Sequence, residues 1–188
     1  MRYLLIAPFI VLLLLPPALT SAAVMPAIVG PEMEIIDNNI IVSLSIDNVT
    51  EIEKSILSGV QKEIVFTVEL LRAWRFWPDE FVVSKKIKKA VRYDNLRKQY
   101  RVTSNNGFST TEKHFRSYRE MKDWIFMVDD VNLANIKELD PSSYYIRIVV
   151  ESKSIEQPPL LGVLMHFIPE VEMSLAIESP PFVLGGIQ

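Results

Sequence analysis

Lys85, Lys86, Lys88, Lys89, Arg92, Arg97, Lys98 and Arg101 crowd one short stretch, with Asp94 the single acidic residue among them. Closely spaced cations attract anions, and the anions that match such a set are phospholipid headgroups, phosphorylated glycans or an acidic protein surface. The bias extends beyond this cluster. From Lys62 to Lys122 the chain carries fifteen Lys/Arg against seven Asp/Glu, whereas the remainder carries five against sixteen and the formal net charge is −3. The plainer reading of the same lysines is a charged edge strand that resists aggregation.

A second constellation mixes arginine with aromatic rings: Arg72, Trp74, Arg75 and Trp77, with Phe76 between them. Read as a strand, Trp74 and Phe76 share one face and Arg75 and Trp77 the other, so one set belongs to the core. The other set is free for arginine stacking, a sugar ring or a partner. Familiar catalytic arrangements are missing. The two histidines, His114 and His166, lie outside any nucleophile-elbow context, and there is no HExxH or phosphate-binding glycine loop. Asp79–Glu80 and Asp129–Asp130 are adjacent carboxylates, but neighbours on a strand point to opposite faces, and Asp79–Glu80 after Pro78 reads as turn chemistry. With no cysteine and two histidines, no zinc site is expected. The expected site therefore holds no catalytic residue, no metal ligand and no cofactor.

The elements that must carry these side chains follow from hydrophobic period. Met33, Ile35, Ile41, Leu44 and Ile46 predict two short strands around an Asn38–Asn39 turn, and Asn48 to Gly59 predicts a short helix. Ile64, Phe66, Val68 and Leu70 alternate with Glu63, Val65, Thr67 and Glu69, the signature of a half-buried strand. Phe81, Val83, Lys85, Ile87, Lys89, Val91 and Tyr93 fall on one side of the next strand. Val82, Ser84, Lys86, Lys88 and Arg92 fall on the other. Tyr93-Asp94-Asn95 turns the chain, and Tyr100 and Val102 lead a third strand. Short turns make these strands an antiparallel meander. Ser104 to Thr111 reads as a polar loop. Phe115, Tyr118, Met121, Trp124, Ile125 and Val128 recur at helical spacing, and Asn132 to Ile136 reads as the helix end or a short strand. Two further strands follow, at Tyr144, Ile146, Ile148 and Val150 and at Met173, Leu175 and Ile177. The fold class predicted is α+β: a β-rich single domain of mostly antiparallel sheet, curling as a sandwich or half-barrel, with one or two covering helices.

Three blocks carry a family resemblance: Leu70 to Glu80 (LLRAWRFWPDE), Val91 to Val102 (VRYDNLRKQYRV), and Tyr144 to Val150 followed by Pro158-Pro159-Leu160. Together they resemble the exported bacterial proteins grouped as domain of unknown function 4390, over about residues 33 to 180. The resemblance implies an exported single domain. It implies no catalytic residue, because the family has none assigned.

The first residues have the layout of a secretory signal peptide: Arg2 ahead of an apolar run from Leu4 to Leu15, then Pro16-Pro17 and the small residues Thr20 to Ala23. The expected division is a signal at 1–23, cleaved after Ala22 or Ala23, and one exported domain at 24–188. The alternative is an uncleaved anchor that keeps the protein at the membrane. Between Pro159 and Pro169, His166 is the only polar residue; that apolar segment is too short to span a bilayer. The expectation is a periplasmic, non-catalytic envelope module. Its partner is an envelope protein or an anionic lipid or glycan surface, met through the basic sheet face, and not nucleic acid. A binder of lipid or a small apolar ligand and a carboxylate-dependent enzyme acting on glycans are the alternatives.

Overall fold

The computed structural model describes residues 25–155 and 171–185. The expected signal at 1–23 and the apolar stretch that holds His166 lie outside the described residues.

Alternation builds the larger of two sheets. Strand β3 (Lys62–Arg72) buries Ile64, Phe66, Val68 and Leu70 completely. It sits between β4 (Glu80–Asp94) and β8 (Ser142–Ser154), antiparallel to both. Register stacks the apolar rows: Phe66 lies between Ile87 and Val150, and Leu70 between Val83 and Ile146. Beyond β4 come β5 (Gln99–Asn105) and β6 (Thr110–Phe115). Beyond β8, β9 (Val171–Glu178) pairs along most of its length and β10 (Phe182–Leu184) with its start.

The smaller sheet has the order β1 (Ala27–Ile36), β2 (Asn39–Asp47), β7 (Met127–Asn135). Asp37 and Asn38, both at positive φ (50° and 63°), make the β1–β2 turn, a conformation that Asp and Asn tolerate. Ile40, Val42, Leu44 and Ile46 of β2 share one core with the buried faces of β3 and β8, so the two sheets face each other. Helix α1 (Thr50–Leu57) adds Ile52 and Ile56 to that core. Helix α2 (Tyr118–Ile125), capped by the Ser117 hydroxyl, adds Met121 and Ile125. The architecture is the expected β-rich α+β single domain of antiparallel sheet with two helices, and it is not a closed barrel.

Four local expectations are corrected. The helix is confined to Tyr118–Ile125: Phe115 belongs to β6, which occupies part of the expected polar loop, and Val128 belongs to β7. The β1–β2 turn falls at Asp37–Asn38, one residue before the expected Asn38–Asn39; of the two readings of Asn132 to Ile136, the strand holds as far as Asn135. Strand β4 runs through Tyr93 to Asp94, so the turn falls at 95–98. Strand β3 stops at Arg72, so Trp74 and Phe76 are not strand residues and neither enters the core.

Candidate functional site

The eight basic residues do not form one surface. Cross-strand register sets Lys85 opposite Val68 and Lys89 opposite Ile64, on the inner side of β4. Lys86, Lys88 and Arg92 point outward, and Arg92 lies directly opposite Arg101 of β5. Arg97 and Lys98 stand exposed in the turn. There the Asp94 Oδ1 accepts from the Arg97 and Leu96 backbone N–H groups at 3.0 Å each. The Arg97 N–H is the main cause of an Asp94 carboxyl held below its ordinary range.

The outward set lies beside a surface depression. Lys86 and Lys88 edge a shallow depression of about 530 Å³, with Ala90 next along the strand and Thr103, Asn105 and Thr110 supplying polar atoms. Glu63 is the one carboxylate in its lining. Among the described residues, Lys86, Lys88 and Arg92 make no ion pair, whereas Arg101 donates to Glu112 at 2.8 Å. Like charges directly opposite across an antiparallel pair repel, and Glu112 offsets that repulsion on the Arg101 side.

The inward lysines do different work. Lys89 is 7% exposed. Its ammonium donates to the Trp124 carbonyl at 2.7 Å and also to the Met127 carbonyl, and it lies 4.4 Å from the Trp124 ring centroid. Burial pushes its pKa down to about 8. Lys89 is therefore occupied inside the fold and is removed from any surface set. Lys85 lies over the Phe108 ring at 5.7 Å. It lines an open cleft of about 980 Å³ between β4 and the β7 side of the smaller sheet, with Ile87, Trp124, Asp129, Asp130 and Glu138 among the other lining residues.

The family model described as "Domain of unknown function (DUF4390)" matches residues 27–179. The chain belongs to this family. No curated protein and no solved structure matches it.

In this DUF4390 domain the arginine–aromatic set divides as the basic set does. Arg72 is held at the end of β3: Nη2 donates to Asp140 at 2.6 Å, Nη1 to Glu80 at 3.3 Å, and the Tyr144 hydroxyl lies 3.1 Å from Nη2. Its guanidinium also faces the Trp74 and Tyr144 rings at 5.5 and 5.6 Å. The Asp140 hydrogen bond leads the causes that raise the Arg72 pKa. Lysine cannot reproduce this planar fork, so Arg72→Lys should lower the melting temperature, read by thermal denaturation. Trp74, Phe76 and Trp77 are instead 47%, 84% and 77% exposed, and Arg75 lies over the Phe76 ring at 5.5 Å. Trp77→Ser should leave stability within about 0.5 kcal/mol of the wild type in chemical denaturation, because the ring supports nothing inside the fold.

Asp129 and Asp130 both line the cleft beside Lys85, and Asp79 and Glu80 are structural. Asp79 accepts from the Trp74 N–H at 3.1 Å and from the Tyr145 hydroxyl at 2.9 Å. Glu80 accepts from Arg72 and, at 3.4 Å, from the Trp74 indole. His114 lies on β6 with Nε2 3.2 Å from Glu112. No three metal-binding side chains converge among the described residues, and no described helix is long and apolar enough to cross a membrane.

Sequence reasoning missed one charged group entirely. Lys62, 2% exposed, donates to Ser154 Oγ at 2.7 Å and pairs with Glu172, tying β3, β8 and β9 together. Its position two residues before Ile64, in phase with the buried row, was the available signal.

Proposed function

We propose that this protein is an exported, non-catalytic envelope module that binds an anionic surface through the outward side of β4 and β5. The residues assigned are Lys86, Lys88, Arg92 and Arg101, with Arg97 and Lys98 at the rim. One observation carries the reading: Lys86 and Lys88 stand free of ion pairs among the described residues at the edge of a depression lined by threonine and asparagine. The chemistry complements phosphate or carboxylate groups arrayed on a lipid or glycan layer. It needs no reaction, and the carboxylates Asp79 and Glu80 are committed to holding the β3–β4 connection.

Such binding is electrostatic and is screened by salt. The full chain should sediment with phosphatidylglycerol vesicles at low ionic strength and should not sediment with phosphatidylcholine vesicles through this face. Raising salt from about 0.05 M to 0.5 M should weaken the phosphatidylglycerol interaction about tenfold or more. Binding that is indifferent to both headgroup charge and salt would contradict the reading.

A further inference from the structure

We infer that the β3–β4 connection is a lipid-inserting loop, which seats Trp77 and Phe76 in the interfacial layer of a bilayer. It rests on the proposed function only for a membrane-facing, exported setting; the loop lies at the Arg72–Glu80 end of β3 and β4, away from the Arg92–Arg101 end of the basic face, and is a separate contact.

Every residue from Trp74 to Phe81 is exposed. Phe76 and Trp77 are 84% and 77% exposed and Phe81 56%. Consecutive large apolar groups held in water mark an interaction site. Val183, 74% exposed, continues the patch, because it pairs with Ser143, whose carbonyl accepts from the Ala73 N–H at 2.9 Å. The patch therefore lies at one end of the sheet, where a bilayer can meet it end-on.

The loop is also built to hold this shape. Asp79 ties the Trp74 N–H to the Tyr145 hydroxyl. Arg72 and Glu80, at the ends of the flanking strands, are bonded to each other. Glu80 and Asp140 share the Arg72 guanidinium, whereas Asp79 is held by neutral donors and keeps its charge, so the rings, not the loop's charge, must supply the membrane affinity. Arg75 has no ion pair among the described residues, and its aliphatic stem lets the guanidinium reach a headgroup while the neighbouring rings go deeper. Indole and phenyl rings beside a guanidinium that stacks on Phe76 match the composition of membrane interfaces, where one part of a side chain is apolar and the other wet.

The test uses the full chain carrying Trp74→Phe and Trp124→Phe, which leaves Trp77 as the only indole, since the chain has three tryptophans. Phosphatidylglycerol vesicles with brominated acyl chains should quench its emission about twofold, and unbrominated vesicles should shift the emission to the blue. In the wild-type background, Phe76→Ser with Trp77→Ser should weaken vesicle binding about tenfold without moving the melting temperature. That second arm keeps the question decidable if the tryptophan-depleted chain folds poorly. Binding without quenching, and with no loss in the serine variant, overturns insertion and leaves the basic face standing. Quenching that survives Lys86→Glu with Lys88→Glu supports insertion and counts against the basic face. No binding to any vesicle overturns both.

Discussion

Replacing Lys89 by methionine is expected to destabilise the protein by about 2 kcal/mol at pH 7, whereas the same change at Lys86 leaves stability within about 0.5 kcal/mol. The two lysines are three positions apart on one strand and face opposite ways. The Lys89 ammonium donates to two carbonyls, those of Trp124 in the last turn of α2 and of Met127 at the start of β7. It thus serves as a C-terminal cap for the helix and as the joint between helix and strand. Methionine keeps the stem packed beside Trp124 but leaves both carbonyls without that donor.

The pH dependence has a definite sign. Burial lowers the Lys89 pKa from its ordinary 10.5 to about 8. Between those values the folded chain has lost the proton and the unfolded chain has kept it, so the unfolded state binds more protons and stability rises with pH. The gap between wild type and Lys89→Met should therefore widen from pH 8 to 10.5, by at most about 3 kcal/mol. Urea denaturation of both proteins at several pH values reads this difference. A gap that narrows with pH would contradict the buried-ammonium account.

The second large effect concerns Lys62 and Glu172. Lys62 is enclosed (side chain 3% exposed), while the Glu172 side chain is 38% exposed. Removing one member of a buried pair strands the other charge, at about 3–5 kcal/mol when both are enclosed. With Glu172 partly in water the expected cost of Glu172→Gln is about 2 kcal/mol. Lys62→Met removes the enclosed charge itself and should cost less than Glu172→Gln. Burial alone would raise the Glu172 carboxyl; the hydrogen bonds from Lys62 and Ser154 outweigh it and hold the pKa below its ordinary value. The stability it contributes is thus present above the unfolded carboxylate pKa and is lost as pH falls through the folded one. Thermal melts of the two variants give the order of effects. Equal or reversed losses would contradict the pairing.

Much of this could be read from the residues, and the failures have physical causes. Alternation located β3, β4 and β8 because each has one fully buried row and one less buried row. It also placed Lys85 and Lys89 with Ile87 and Val91. What it could not reveal was the pair of carbonyls waiting for Lys89, since these belong to a helix end and a strand start far along the chain. Strand β7 looked helical at its start because a bulge sets Asp129 and Asp130 between the paired residues Val128 and Val131. The one extra residue spreads Val128 and Val131 three positions apart, which mimics a helix. Strand β6 carries Thr110 to His114 with every one of them exposed, so it offered no apolar period to detect. The aromatic run failed differently: Trp74 to Trp77 continues the alternation of β3, but Asp79 captures the Trp74 N–H and bends the chain into a loop. The outward basic residues were legible as a group. Their division from the inward pair is a matter of register.

The central claim is that the outward face of β4 and β5 binds anionic surfaces. Its most direct test is sedimentation of the full chain with phosphatidylglycerol vesicles, comparing wild type with the variant Lys86→Glu, Lys88→Glu, Arg92→Glu. All three side chains are exposed, so the variant should melt as the wild type does. Its vesicle affinity should fall by about tenfold or more, because three attractive charges become repulsive. A folded variant that sediments as well as the wild type would contradict the account.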